Sequence, residues 1–512
     1  MRICRALAAA CVVAVLPCRP AHGQDLTVDT AGAGTLIDEA LHHSEVMSNL
    51  AYLTDMIGPR LTGSAAVRQA NEWTLARFRD YGLAAHLEPW TFGGTWTRGP
   101  IAVRLVAPWA HDVIAASWAW APGTGGATRT GPVVRIDGTV PDSFATQRSR
   151  VKGAWVMLRE PSFVWNSDGP AMGAADSARR DQFLRSYYTP FQGADSATRA
   201  RLQQFANDLP YLLRRAGALG IIVDAGKEQG LLNMSGSPNR ILPLPQIVVT
   251  HEDYSLLDRL LTAGTVPRLA VSIVNRMRQD SIPQWNTIAE LRGTERPGEV
   301  VIVGAHLDSW DLGTGATDNG TGAMCVLEAA RVIGRSGLRP QRTIRFVLFT
   351  GEEQGLIGSR KYAEAHAGEA DSIQAVLVLD NGTGAVTGQA LQGRGDLAEL
   401  WHAILAPLAP LGADSVANRT KGGTDHLAFL PYGVPAFNFD QVERGYPHTH
   451  HSQSDTYDKA VAADLVQASV VLAVAAYELA NLSGMIPRGE RSAPARVQAV
   501  KVSDSLRAKV RP

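Results

Sequence analysis

The pattern of apolar and polar positions changes rhythm twice along the chain. Residues 35–85 read as helical. In Asn71–Tyr81, Trp73, Ala76, Phe78 and Tyr81 fall on roughly one side, with charges elsewhere. Gly82 closes that helix, and the turn-rich run Ile57-Gly-Pro-Arg-Leu-Thr-Gly-Ser precedes it. From about Trp96 to Pro283 short apolar runs alternate with Gly and Pro: Ile101–Val106, Gly131–Ile136, Ala154–Leu158, Gly220–Val223 and Gln246–Val249. They predict a separate β-rich domain. A polar segment over 161–209 interrupts it and reads as an insertion or mobile arm.

After Trp285 the rhythm alternates. Thr287–Leu291, Val300–Val303, Thr343–Thr350, Ala375–Leu379 and Ala436–Phe439 read as strands. Between them Ala323, Val326, Leu327, Ala330 and Ile333 fall at helical spacing, as do apolar positions between Leu397 and Leu408. Such alternation predicts an α/β domain, its mostly parallel sheet covered by helices. Ala468–Ala480, bracketed by Asp464 and Glu478, reads as a buried helix rather than a membrane span. The stretch from Pro487 onward is rich in Arg, Lys, Ser and Pro and is expected to fray.

Composition adds limits. In 512 residues, Lys plus Arg and Asp plus Glu each number 49, so there is no basic excess for neutralising a nucleic acid. With 45% hydrophobic residues the chain can build a large core. Cys4, Cys11 and Cys18 lie in a stretch with Arg2, Arg5, the apolar run Ala6 to Leu16 and small residues before Gln24. This is the pattern of a secretory signal peptide cleaved after Gly23, which predicts a secreted or periplasmic protein. The run is too short for a bilayer, which needs ~20 residues. Lipidation at Cys18 is the weaker alternative, because Pro17 is a poor neighbour for it. After cleavage only Cys325 remains, so no disulfide within the chain is expected.

The candidate chemistry sits where strands end. Ala305-His306-Leu307-Asp308-Ser309-Trp310 follows Val300–Val303. Thr317-Asp318-Asn319-Gly320 opens a helix, Glu352-Glu353 follows Phe346–Thr350, and Asp380-Asn381-Gly382 follows Val376–Leu379. In open α/β sheets ligands bind beyond the carboxyl ends of the strands. A further cluster, His448-Thr-His450-His451-Ser-Gln-Ser-Asp455, lies nearer the C-terminus. Imidazole and carboxylate are natural zinc ligands. A carboxylate two residues after His306 can hold its other ring nitrogen. Two adjacent glutamates at a strand end point different ways, so one can bind metal while the other acts as base. Singly, each residue has a plainer reading: His306 a satisfied polar residue, Asp318 a helix cap, Glu352-Glu353 solvated surface, Cys325 core. The glycines of 313–322 lack the spacing of a dinucleotide loop.

Together these residues resemble the co-catalytic zinc exopeptidases, a family that includes bacterial leucyl aminopeptidases and glutamate carboxypeptidases. The resemblance rests on Gly58-Pro-Arg-Leu-Thr-Gly-Ser, His306-Leu-Asp-Ser-Trp-Asp, Leu338-Arg-Pro-Gln-Arg-Thr, Glu352-Glu-Gln-Gly, Gly423-Thr-Asp and His450-His-Ser. Within the family it is nearest to the plasma glutamate carboxypeptidase branch. It implies a zinc-peptidase domain split into 30–95 and 283–485, with helices on both sheet faces. A β-rich protease-associated domain over 96–282 would interrupt it, and 486–512 would form a flexible tail. It also implies two zinc ions: His306 and Asp380 holding one, Glu353 and His451 the other, Asp318 bridging. Asp308 would orient His306, and Glu352 would be the general base. Many relatives have an oxyanion-steadying tyrosine just before the last histidine ligand; here His450 takes that place. The expected substrate is a dipeptide or short peptide. An aminopeptidase on longer peptides, a metal-free receptor-like scaffold and a one-zinc cyclase are the alternatives. No nucleic-acid partner or membrane span is expected, and a homodimer stays open.

Overall fold

The alternating apolar runs after residue 282 become the strands of an eight-stranded sheet. In chain order these are β1 (Ala84–Phe92), β2 (Ile282–Leu291), β3 (Arg296–His306), β4 (Arg342–Phe349), β5 (Ile373–Val378), β6 (Val386–Ala390), β7 (Ser415–Ala417) and β8 (Ala436–Gln441). The order across the sheet is β1-β2-β4-β3-β5-β8-β6-β7. The centre, β4-β3-β5-β8, is parallel, whereas β1, β2 and β6 join antiparallel. β3 is buried continuously from Val300 to His306, as a strand covered on both faces must be. The computed structural model describes residues 26–28, 30–164, 172–188, 193–494, 501–503 and 506. The signal-peptide reading of 1–23 and Cys18 lies outside them.

Helices cover both faces. On one face α1 (Ala33–His43), α2 (Ala65–Asp80), α3 (Thr321–Arg335) and α4 (Ala462–Asn481) pack through Leu36, Phe78, Val326, Ile333 and Leu472 onto Val301, Val303 and Leu377. On the other, Tyr362, Ala363 and Phe429 cover Ile302, Val347 and Phe349. By length and apolarity α4 could cross a membrane, but it lies inside this core, burying even Gln467 and Glu478. Cys325 is buried on α3, and its Sγ meets the carbonyl of Leu465 at 3.4 Å.

The buried face of α2 differs from the expected one. It is Val67, Ala70, Asn71, Thr74 and Phe78, while Ala76 is exposed. The polar members are satisfied inside. Asn71 Nδ2 donates to Thr287 Oγ1 at 3.0 Å, and Thr74 Oγ1 to the Ala70 carbonyl at 2.8 Å. Apolar spacing alone thus finds Phe78 and Tyr81, both buried, and the packed Trp73, but misplaces Ala76 and misses the polar members of the face. Trp73 also stacks on Tyr52 with ring centroids 4.9 Å apart.

Strands between 101 and 273 form a second eight-stranded sheet. Four of them, Arg129–Arg135, Trp155–Met157, Gly220–Asp224 and Gln246–Val249, run parallel. This part is α/β rather than simply β-rich. Where it is described, the polar stretch expected to form an arm is largely helical, at Ala174–Tyr188 and Ser196–Arg215. The latter helix buries Leu202, Phe205, Leu209 and Leu213, the last three packing with Val156 and Ile221. A ribbon pairing Thr95–Thr97 with Arg276–Arg278 connects the two sheets. An apolar cluster containing Trp90, Phe92 and Trp310 from one side and Trp96, Trp120 and Met234 from the other joins them further.

The described part of the C-terminal stretch is docked rather than frayed. Tyr432 bridges Arg491, and the Gly489 amide donates to the Gly433 carbonyl at 2.9 Å. Farther on, the Ser503 amide donates to Asp208 Oδ1 at 2.8 Å, on the Ser196–Arg215 helix.

Candidate active site

β3 is the first parallel strand of its sheet in chain order, with β4 on one side and β5 on the other, so the connections diverge at its carboxyl end. That is the place where α/β sheets collect ligands. His306 is the last residue of β3, Glu352 and Glu353 lie just past β4, Asp380 just past β5, and Asp318 before α3. His450 and His451 follow β8 on the loop after a short helical turn, Tyr446–Thr449. The structure brings all of them to one cleft of about 450 Å³, which Asn381, Thr424 and Tyr446 also line, with His306 buried beneath.

Asp318 stands between the two histidines. Its Oδ1 is 3.4 Å from His306 Nε2, and its Oδ2 is 3.5 Å from His451 Nε2. Asp380 Oδ1 is 3.5 Å from His306 Nε2, and Glu353 Oε2 is 3.0 Å from His451 Nε2. Glu352 Oε2 is farther from His306, at 3.9 Å. Two compact donor groups result, His306 with Asp318 and Asp380, and Asp318 with His450 and His451. Asp318 Oδ2, Glu353 Oε1 and Asp380 Oδ1 are buried and accept no hydrogen bond. Buried carboxylate oxygens crowded together without donors are costly unless a cation lies among them. The donor set, imidazole and carboxylate on both sides of a shared aspartate, fits zinc.

Electrostatics point the same way. Burial alone would depress the His306 imidazole, but the charges of Asp380 and Glu352 outweigh it and hold it well above its usual range. Burial raises Glu352 and Glu353 well above the ordinary carboxylate range, and their negative neighbours add to it. Burial opposes ionisation of Asp318 too, yet hydrogen bonding to His306 and the nearby His451 bring it below its usual value. Burial also lowers His450, to about 4, so its ring is neutral at pH 7. His450 stacks on His451 at 3.7 Å and stays 3.8 Å from Asp318 Oδ2.

Asp308 lies under His306 in a way its spacing did not reveal. The Asp308 backbone carbonyl, not its carboxylate, meets His306 Nδ1 at 3.0 Å; the carboxylate is 3.8 Å away. The carboxylate instead accepts from Thr62 Oγ1 at 2.8 Å and from the Glu352 amide at 3.3 Å, tying the His306 loop to the glutamates.

Several supporting residues carry roles that the sequence reading did not assign. Arg60, fully buried, donates to the carbonyls of Leu307, Thr314 and Gly315 at 2.7, 2.8 and 2.7 Å, which ties the His306 loop to the run leading into Asp318. Asp455 accepts from Thr317 Oγ1 at 2.8 Å and from the Asp318 amide at 3.2 Å. Tyr446 reaches the cleft one helical turn ahead of His450, its ring edge-on to that imidazole at 5.1 Å. Lys227, from the second sheet, approaches the same loop; burial lowers its ammonium to about 8, so it remains charged at neutral pH. The available signals were Arg60 inside Gly58-Pro-Arg-Leu-Thr-Gly-Ser and Asp455 four residues after His451; Lys227 carried none.

The model of peptidase family M28 matches residues 286–476. Carboxypeptidase Q of Xenopus laevis is 30% identical over 478 residues, covering 89% of this chain and 91% of its own. A solved M28 peptidase precursor from Shewanella amazonensis superposes with a TM-score of 0.72 at 24% identity, over 90% of this chain and 98% of its own. A zinc aminopeptidase from Bacillus subtilis gives 0.60 at 20% identity, over 86% of this chain and 95% of its own.

Proposed function

The chain belongs to peptidase family M28 and is a zinc-dependent exopeptidase, and from that premise we propose that it hydrolyses dipeptides or short peptides with a pair of zinc ions. The observation that carries the pairing is Asp318, whose two carboxylate oxygens face different histidines at 3.4 and 3.5 Å. His306 and Asp380 would hold one ion, Glu353 and His451 the other, with Asp318 shared. When bound, such a pair activates a water and polarises a carbonyl. Glu352, at 3.9 Å the most distant of the three carboxylates around His306 Nε2, takes the proton from the attacking water and passes it to the leaving amine. Its burial and raised proton affinity suit that exchange. His450, neutral and on the cleft wall, steadies the negative charge that develops on the carbonyl oxygen.

The preference for short substrates rests on the cleft and its cover. Segment 227–237 of the inserted part, read as a protease-associated domain, approaches the cleft, and Ser237 Oγ meets the Gln354 carbonyl at 3.5 Å. A cleft of this size suits a small ligand with few polar anchors. Export rests on the pattern of residues 1–23. Elemental analysis of the purified protein should find about two zinc per chain. Exhaustive chelation should abolish hydrolysis and zinc should restore it; full activity without metal would refute the mechanism.

A further inference from the structure

The loop carrying His450 and His451 is held from outside its own sheet. Lys227, just past strand Gly220–Asp224 of the second sheet, donates from Nζ to the His450 carbonyl at 2.7 Å and also to the Pro447 carbonyl. The Met234 amide donates to the His451 carbonyl at 2.9 Å. The Leu232 amide donates to Gln453 Oε1 at 2.8 Å, and Gln453 Nε2 returns a bond to the Gly230 carbonyl at 3.0 Å. So residues 227–234 and 447–453 are cross-linked along their length.

The loop needs such holding. His451 sits at φ +59°, a left-handed conformation that side chains other than glycine rarely adopt. Such a residue persists where its surroundings over-determine it, and Met234 fixes the carbonyl of this very residue. Trp310 lies edge-on to the His451 ring at 5.8 Å, and Trp120 of the inserted part lies edge-on to Trp310 at 6.4 Å. Backbone and ring of His451 are thus both braced through the second sheet.

We infer that residues 227–234 of the inserted part are a positioning element for the zinc site built on His451, and that Lys227 is its principal positioning residue. The inserted part then does more than cover the cleft: it completes one of the two metal sites. This rests on reading His451 as a metal ligand.

A positive charge beside a cation site has an opposite effect through space. If Lys227 acted by charge alone, removing it would tighten zinc. If it acts by holding the loop, removing it loosens zinc. The sign separates the two.

The test uses the full mature chain with Lys227→Met, which keeps the stem but removes the donor, and Lys227→Arg, which keeps a cationic donor. Zinc affinity is measured by competition with a chromophoric chelator. One of the two zinc equivalents should weaken about 10–100-fold in Lys227→Met, the scale for outer partners of metal ligands. The other should be unchanged, and Lys227→Arg should recover most of the loss. At limiting zinc kcat should fall with KM little changed, and excess zinc should restore it. Gln453→Met should shift affinity in the same direction and serves if Lys227→Met folds poorly. In metal-free protein, amides 448–453 should exchange with deuterium faster in Lys227→Met than in wild type or Lys227→Arg. Unchanged or tighter zinc, or unchanged exchange, overturns the inference. A wild type that binds one zinc refutes the two-metal reading instead, and the exchange measurement still judges the clamp.

Discussion

Glu352 and Glu353 adjoin in sequence but face different groups, 3.9 Å from His306 and 3.0 Å from His451 respectively. Glu352→Gln keeps the shape and removes the basic oxygen. Turnover should fall about 10²–10⁴-fold with zinc content intact, measured by steady-state kinetics beside elemental analysis. Loss of zinc together with activity would mean the two roles are exchanged. His450 tests the other side of the cleft. His450→Phe should lower kcat about 10²–10³-fold, the usual cost of one oxyanion donor, with both metals retained. Because His450 also groups with Asp318 and His451, a lost zinc equivalent would make it a ligand.

In the second sheet a helix of polar composition turns out to be part of the core. Ser196–Arg215 is polar in composition, so its apolar stripe of Leu202, Phe205, Leu209 and Leu213 was hidden among Arg, Gln and Asp. Leu213 is fully buried against the sheet. Leu213→Ala should cost about 2–5 kcal/mol by denaturant unfolding, where a frayed arm would cost almost nothing. At the neighbouring strand end, His251 Nδ1 meets Asp224 Oδ2 at 3.1 Å. Hydrogen bonding to Asp224 raises His251 above 6.5. Burial would raise Asp224, but His251 and the amides of Gly226 and Ser162 together bring it below 3.8. The His251 contribution to stability is full below its unfolded value and is lost as pH rises through its folded one. The Asp224 contribution is full above its unfolded value and is lost as pH falls through its folded one. Asp224→Asn should therefore lower Tm most between pH 3.8 and 6.5, less at alkaline pH where the His251 contribution is gone but the amides of Gly226 and Ser162 still hold the carboxylate, and least in acid below the folded Asp224 value, in thermal scans across pH.

Across the whole molecule, substrate length is the property that depends on both sheets. The kcat/KM for a series from dipeptide to hexapeptide, sharing the first two residues, should decline steeply. A flat profile would leave an open-cleft aminopeptidase. Among the described residues, 227–237 of the inserted part reach the loops of Glu352 and His451 by hydrogen bonds, and Arg98 pairs with Asp311 beyond the His306 loop. Excising 165–194, which spares the packed Ser196–Arg215 helix, should leave the length profile unchanged.

Local pattern was enough for the α/β alternation, the central parallel strands and the clustering of His306, Asp318, Glu352, Glu353 and Asp380 at strand ends. Each follows from short-range spacing: apolar runs that must be buried, and polar residues placed where those runs stop. Chain folding alone could decide what depends on distant partners. The face of α2 was set by Thr287, more than two hundred residues away, which satisfies Asn71. The docked C-terminal stretch was set by Asp208 and Gly433. The orientation of His306 was set by a backbone carbonyl, which no side-chain motif encodes. The cross-link from Lys227 and Met234 to His450 and His451 joins chain segments that periodicity treats as unrelated. Residue spacing carries information about neighbours along one element, whereas hydrogen-bond satisfaction in a buried site is a condition on whichever groups the fold brings together.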